Sequence, residues 1–271
     1  MARWHSVDPL AEKYYSASPY CYVLNTPINA IDPDGRLVIF VTGYPKKVLS
    51  NYSINPYPPR IRFDANDTYI HDRPLSTMGS NYWQGLDRAF QSYFQDDNSL
   101  YTFGGHRDNS TAAERIQRGR DAALVFHRKF IDGDISLADD ETIKIVGHSH
   151  GAAYSAGLTS ELIRLGYQVE WVWYVAAHQP TDFSHPEGAT GVQLIRRSDW
   201  VSSSQGSNWR GRQVRGISPS SYGRIDGVSE FIELDNTSKG RGGHSTWTYV
   251  NWLMQQALNN GGTVTINGVQ Q

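Results

Sequence analysis

The sequence is poor in cysteine and in long apolar runs. Its 271 residues include a single cysteine, Cys21, so neither an internal disulfide framework nor a thiolate metal cluster can form. No apolar segment approaches the ~18 residues that a membrane-spanning helix needs. Residues 1–9 lack the apolar stretch of a signal peptide. These absences predict a chain without a transmembrane segment, made in the cytoplasm and exported, if at all, as part of a larger polypeptide.

A strong charge of either sign is also missing. The 25 Lys and Arg residues nearly balance the 27 Asp and Glu residues, which leaves a formal net charge of -2. A chain of this kind has no general attraction for nucleic acid or for anionic lipid. It contains no phosphate-binding loop or dinucleotide glycine fingerprint, and His106, His127 and His185 lack metal-ligand spacing. The sequence therefore predicts no nucleic-acid partner, no cofactor and no metal.

What the sequence does contain is enough apolar residues for one large core. Hydrophobic residues make up 39% of the chain and aromatic residues 12%. Apolar, β-branched runs alternate with segments of helical spacing from residue 37 onward. The predicted strands are 37–42, 101–103, 142–146, 169–176, 192–195 and 231–234, and the predicted helices are about 80–95, 111–130, 151–165 and 246–258. This alternation predicts an α/β fold with a mostly parallel central sheet and helices on both faces.

A glycine-flanked serine carries the chemistry. Residues 147–151 read GHSHG, which fits the G-x-S-x-G pattern of a nucleophile elbow. A β-branched strand precedes the motif without a gap, and a helix rich in small residues follows it. This strand, turn and helix would expose the Ser149 hydroxyl at the carboxyl end of the sheet, beside the positive end of the helix. We therefore interpret Ser149 as a nucleophile.

A serine hydroxyl needs a base and an acid that orients the base. The histidines that follow Ser149 are His150, His178, His185 and His244. His244 is favoured as the base because it lies in a glycine-rich loop between the last strand and the last helix. Asp199, just after the strand 192–195, is the preferred acid. Asp182 is the alternative acid, and Asp226 is a more distant third.

The oxyanion of an acyl-transfer intermediate needs two backbone N–H donors. The residue after the nucleophile, His150, should supply one. The loop after the first strand should supply the other, and Tyr44 is chosen there because Pro45 has no N–H.

Together these segments resemble a lipase-type α/β-hydrolase over about residues 37–260. The resemblance rests on the elbow at 147–151, on SDWV at 198–201 and on GHS at 243–245. It implies ester hydrolysis by a Ser-His-Asp triad through an acyl-enzyme. The chain has Thr42 and Gly43 where lipases commonly carry a His-Gly pair, which leaves lipid specificity open.

The first 36 residues resemble a different family. They contain SVDPLAEKY at 6–14, SPY at 18–20, YVLN at 22–25, PIN at 27–29 and IDPDG at 31–35. These motifs resemble the end of the RHS-repeat-associated core of bacterial polymorphic toxins. We therefore divide the chain into a leader or linker, 1–36, and a lipase-like domain, 37–271.

The second resemblance implies a biological setting. In that family a variable domain follows the core and is often the toxic enzyme. The resemblance therefore implies a phospholipase toxin that is made in the bacterial cytoplasm and exported within a larger effector. It also implies transient contact with membrane surfaces and an immunity protein as a partner. Two alternatives stay open. In the first, the chain is a non-catalytic interaction or cargo module of a larger RHS protein. In the second, it is a carboxylesterase or thioesterase that acts on small substrates.

Overall fold

The computed structural model describes the greater part of the predicted hydrolase domain. The described residues are 36–43, 70–71, 82–104, 110–135, 137, 141–196, 199, 208–209, 212–213, 223–234, 243–260, 265–266 and 269–270. The predicted leader lies outside them except for Arg36, and the division at residue 36 therefore stays a prediction. Tyr44 also lies outside the described residues.

A seven-stranded sheet organises the described residues. Its strands are β1 (Arg36–Thr42), β2 (Ile70–His71), β3 (Ser99–Phe103), β4 (Thr142–His148), β5 (Val169–Val175), β6 (Thr190–Arg196) and β9 (Glu230–Leu234). They lie in the order β2-β3-β1-β4-β5-β6-β9. Every neighbouring pair is parallel except β2 and β3. Two separate hairpins pair β7 (Asn208–Trp209) with β8 (Arg212–Gln213) and β10 (Thr265–Ile266) with β11 (Val269–Gln270).

Helices cover both faces of the sheet. They are α1 (Leu86–Phe94), α2 (Ala112–Ile131), α3 (Gly151–Arg164) and α4 (Trp247–Asn259), and a short 3₁₀ helix spans Pro180–Asp182. One apolar cluster joins α2 and α3 to the sheet, and another joins α1 and α4 to its opposite face. The described residues thus have the α/β architecture that the sequence predicts.

Strand β1 shows why its sequence is a continuous apolar run. Leu37, Ile39 and Val41 belong to the cluster on the α2–α3 face. Val38 and Phe40 alternate with them and belong to the cluster on the α1–α4 face. Because both faces are covered, every side chain from 37 to 41 is buried, as in other doubly covered parallel sheets.

No helix in the described part of the chain combines the length and the apolar character that crossing a bilayer requires.

Candidate active site

Ser149 lies on a sharp turn between β4 and α3. Its φ is 57°, in the left-handed region that residues with a Cβ rarely occupy. The turn is held by the Ser149 amide, which donates to Val175 O at 3.0 Å, and by the Ser149 carbonyl, which accepts from Ala152 N at 3.1 Å. Helix α3 begins two residues later, so the positive end of its dipole lies beside the hydroxyl.

The two glycines of the elbow are required by close packing. A Cβ on Gly147 would lie 2.3 Å from Ser155 Oγ, and one on Gly151 would lie 2.5 Å from the carbonyl oxygen of Val41. Both distances are shorter than any ordinary carbon–oxygen contact. The G-x-S-x-G spacing therefore allows the turn to pack directly against β1 and the first turns of α3.

The structure brings Ser149, His244 and Asp199 together. His244 Nε2 lies 2.8 Å from Ser149 Oγ. On the other side of the ring, Nδ1 lies 3.0 Å from both Oδ1 and Oδ2 of Asp199. The Asp199 carboxylate is fully buried, whereas the His244 side chain is 22% exposed. In this arrangement the imidazole can take the serine proton while the carboxylate stabilises the positive charge that results.

His150 occupies the position after the nucleophile, at the N-cap of α3. Its ring stacks on that of His178, with centroids 4.4 Å apart. Burial, together with the nearby His178 and Arg115, lowers the pKa of His150 to about 2. His150 is therefore a neutral residue whose backbone stands where an oxyanion donor is expected.

The second oxyanion donor is expected after β1. The Gly43 amide at the end of that strand donates to the Tyr82 hydroxyl at 2.6 Å. This amide is therefore engaged by Tyr82, and Tyr44, the predicted donor, lies outside the described residues, so its role stays a prediction.

The alternative acids and bases occupy other surroundings. Asp182 is exposed, in the 3₁₀ helix, and its charge partly offsets the burial that lowers the pKa of Arg115 to about 10. The Asp226 carbonyl accepts from the His185 amide at 2.8 Å. The His185 ring is bound on both nitrogens, by the Tyr174 hydroxyl at 2.8 Å and by Ala189 O at 2.9 Å.

Two residues that the sequence analysis does not single out touch the His244 segment. His148 Nε2 lies 2.8 Å from the His244 carbonyl oxygen. The Tyr82 hydroxyl lies 2.5 Å from His148 Nδ1, and the Tyr82 carbonyl accepts from Thr246 Oγ1 at 2.9 Å. The position of His148 inside the elbow was an available signal. Tyr82 offers none, because it is 66 residues from His148 along the chain.

Among the residues that the structure describes, no group of three or more His, Cys, Asp or Glu side chains has the arrangement of a metal site.

The order of the parallel strands, with a serine elbow between β4 and its helix and a histidine loop before the last helix, decides the fold type. The fold is that of the α/β-hydrolases. No protein-family model and no curated protein matches the chain.

Solved structures that align with most of the chain share little sequence with it. A predicted cell-surface hydrolase of Lactobacillus plantarum is 13% identical over 82% of this chain and 88% of its own, with a TM-score of 0.41. An esterase of Pyrobaculum calidifontis is 8% identical over 83% and 76%, with a TM-score of 0.41. A cutinase-like protein of a Cryptococcus species is 12% identical over 84% and 95%, with a TM-score of 0.34.

Proposed function

We propose that the chain is a serine hydrolase that cleaves carboxylic esters through Ser149, His244 and Asp199. The observation that carries the proposal is the distance of 2.8 Å between His244 Nε2 and Ser149 Oγ, on a left-handed turn at the start of α3. A serine that merely packs in a glycine-rich turn needs neither an imidazole on its hydroxyl nor a buried carboxylate behind that imidazole.

The first half of the reaction makes an acyl-enzyme. Ser149 Oγ attacks the ester carbonyl carbon and its proton passes to His244 Nε2. The carbonyl oxygen becomes an oxyanion, which the N–H of His150 stabilises at the positive end of α3, with the N–H of Tyr44 as the second donor that the sequence predicts. When the intermediate collapses, the carbon–oxygen bond to the alcohol breaks and His244 returns the proton to the departing oxygen.

The second half releases the acid. Water attacks the acyl carbon while His244 takes one of its protons, and the same proton then returns to Ser149 Oγ as the acid leaves. Asp199 accepts a hydrogen bond from His244 Nδ1–H in both halves. This contact keeps the lone pair of the imidazole on Nε2, facing the serine.

A fluorophosphonate probe tests the proposal. Wild-type protein should be labelled and should hydrolyse p-nitrophenyl esters, and Ser149→Ala should abolish both. Ser160→Ala is the matched control, because Ser160 lies on α3 and donates to Gly157 O, away from the elbow. Absence of labelling in wild type, or equal labelling of Ser149→Ala, would support the alternative of a non-catalytic interaction or cargo module.

The resemblances to a lipase-type α/β-hydrolase and to the RHS core together suggest a substrate class. Residues 3–36 resemble the end of the RHS core, and they favour a phospholipase toxin with an immunity protein as partner. Activity on phospholipid vesicles, compared with short-chain esters and thioesters, separates this role from that of a small-substrate esterase or thioesterase. Expression in the bacterial periplasm should harm the cell in the toxin case, and Ser149→Ala should relieve that harm.

A further inference from the structure

Tyr82 and His148 link the end of β1 to the backbone of His244. The Gly43 amide donates to the Tyr82 hydroxyl, which contacts His148 Nδ1, and His148 Nε2 contacts the His244 carbonyl oxygen. Each of the three distances is between 2.5 and 2.8 Å. The contacts therefore form an unbroken chain from the strand before the expected oxyanion donor to the residue that faces the nucleophile.

The direction of every hydrogen bond in this chain is determined. A carbonyl oxygen only accepts, so His148 Nε2 carries a hydrogen and donates it to His244 O. Burial lowers the pKa of His148 to about 3, so at neutral pH its Nδ1 holds a lone pair and accepts from the Tyr82 hydroxyl. Burial raises the pKa of Tyr82, so the phenol keeps the proton that it donates. The chain has a single arrangement of protons at neutral pH.

The same tyrosine holds the His244 segment at a second point. Its carbonyl accepts from the hydroxyl of Thr246, two residues after His244. Tyr249 adds a third restraint from within α4, because its hydroxyl donates to Gly243 O at 2.8 Å. The segment is thus bound on both sides of His244, at the Gly243 carbonyl and at the Thr246 hydroxyl, whereas Asp199 and Ser149 bind only the ring.

The Tyr82 ring is itself held by aromatic neighbours. It meets the His148 ring edge to face with centroids 5.5 Å apart, and it meets Trp83 in the same way at 5.5 Å. Trp83 is completely buried. Removing the hydroxyl alone should therefore leave the ring where it is.

We propose that Tyr82 and His148 are positioning residues, which fix the backbone at His244 so that its ring stays between Asp199 and Ser149 before a substrate binds. The inference rests on the proposed function, since it matters only if His244 acts on Ser149. Its physical basis is that a catalytic group misplaced by about 1 Å can cost on the order of 100-fold in rate.

Tyr82→Phe is the first test, with kcat and KM measured on p-nitrophenyl acetate well below the melting temperature. We expect kcat to fall by roughly 10- to 100-fold while KM stays within about twofold, because the ester still binds but meets a displaced imidazole. Tyr101→Phe is the matched control. It removes a buried hydroxyl from the same apolar cluster, where the partner is Asp87 at 3.1 Å, and it should keep the wild-type kcat.

Variants of His148 provide an independent test. His148→Gln keeps one donor and one acceptor and should retain most of kcat, whereas His148→Leu keeps neither and should be as slow as Tyr82→Phe. Because both residues act through one chain, the double variant Tyr82→Phe/His148→Leu should be no slower than the slower single variant. Additive losses would overturn the proposal.

The outcomes separate this inference from the function on which it rests. If the wild-type protein neither reacts with a fluorophosphonate nor hydrolyses any ester, both the proposed function and the positioning role are refuted. If the wild type is active and Tyr82→Phe has a lower melting temperature but an unchanged kcat, the positioning role alone is refuted. A lowered kcat in Tyr82→Phe together with wild-type kcat in Tyr101→Phe supports it.

Discussion

Asp199 is the residue whose role can be tested most sharply, because both of its oxygens lie 3.0 Å from His244 Nδ1. In Asp199→Asn the amide group can donate to Nδ1, which moves the imidazole hydrogen to Nε2. The nitrogen that faces Ser149 then has no lone pair, and we expect kcat for ester hydrolysis to fall by about 10⁴-fold. Asp182→Asn, at the alternative acid, should retain the wild-type kcat. The reverse pattern would assign the acid to Asp182.

Residue by residue, the sequence predicts the three side chains that meet at the site but not what holds them. Ser149, His244 and Asp199 follow from an elbow motif and from chain order, which parallel strands convert into proximity at one sheet edge. Tyr82 could not be found in this way. Its contact with His148 depends on the packing of the turn before α1 against two strand ends, and no local pattern encodes that packing.

At the scale of the element, the close approach of α2 and α3 rests on a glycine. A Cβ on Gly157 would lie 1.9 Å from the carbonyl oxygen of Ile116, so the two helices must separate in Gly157→Ala. Alanine is favoured over glycine within a helix by only about 1 kcal/mol. Overpacking costs about 1–3 kcal/mol, so we expect a net loss of stability in urea unfolding. Ser160→Ala, one turn later on α3, should change the midpoint little, and a stabilised Gly157→Ala would contradict this account.

Elements with a clear period or end signal were predictable. Thr111 and Glu114 form the capping box that starts α2, with both hydrogen bonds present. Helix α1 differs from its prediction. Apolar spacing predicts a helix from about residue 80, whereas the observed helix starts at Leu86. The reason is local, because Gln84 and Gly85 have φ of 51° and 92°, which interrupts the helical backbone. The two-residue strands β2, β7, β8, β10 and β11 are too short to show any period.

At the scale of the whole molecule, buried neutral histidines make stability depend on pH. Burial lowers the pKa of His148 to about 3 and that of His150 to about 2. In the unfolded chain both titrate near 6.5, so below that pH the unfolded state binds more protons. Their contribution is fully present above pH ~6.5 and is lost as the pH falls towards the folded values. Between pH 7 and pH 5 we expect the free energy of unfolding to drop by about 2 kcal/mol for each histidine.

Urea unfolding at the two pH values measures this drop. His148→Gln removes one of the two imidazoles and should reduce the loss by about 2 kcal/mol. An identical loss in that variant would show that His148 does not contribute to the acid sensitivity.

The overall architecture was predictable because the sheet is covered on both sides. Such strands are apolar throughout, as in residues 37–41, and they stand out against the helices between them. Strand order was less accessible. Placing β1 between β3 and β4 depends on pairings between segments that are about 60 and 100 residues apart.

At Ser149 the left-handed backbone presents the hydroxyl that the proposed reaction needs, but it lowers the stability of the fold. Glycine tolerates φ of 57° without a steric penalty, whereas alanine does not. Both variants lack the hydroxyl, so Ser149→Gly should melt at a higher temperature than Ser149→Ala by an amount equivalent to about 1 kcal/mol, and equal melting temperatures would refute this. If selection acted on thermal stability alone, it would thus favour glycine at position 149. Serine would be kept there only if selection also acted on the rate of the proposed reaction.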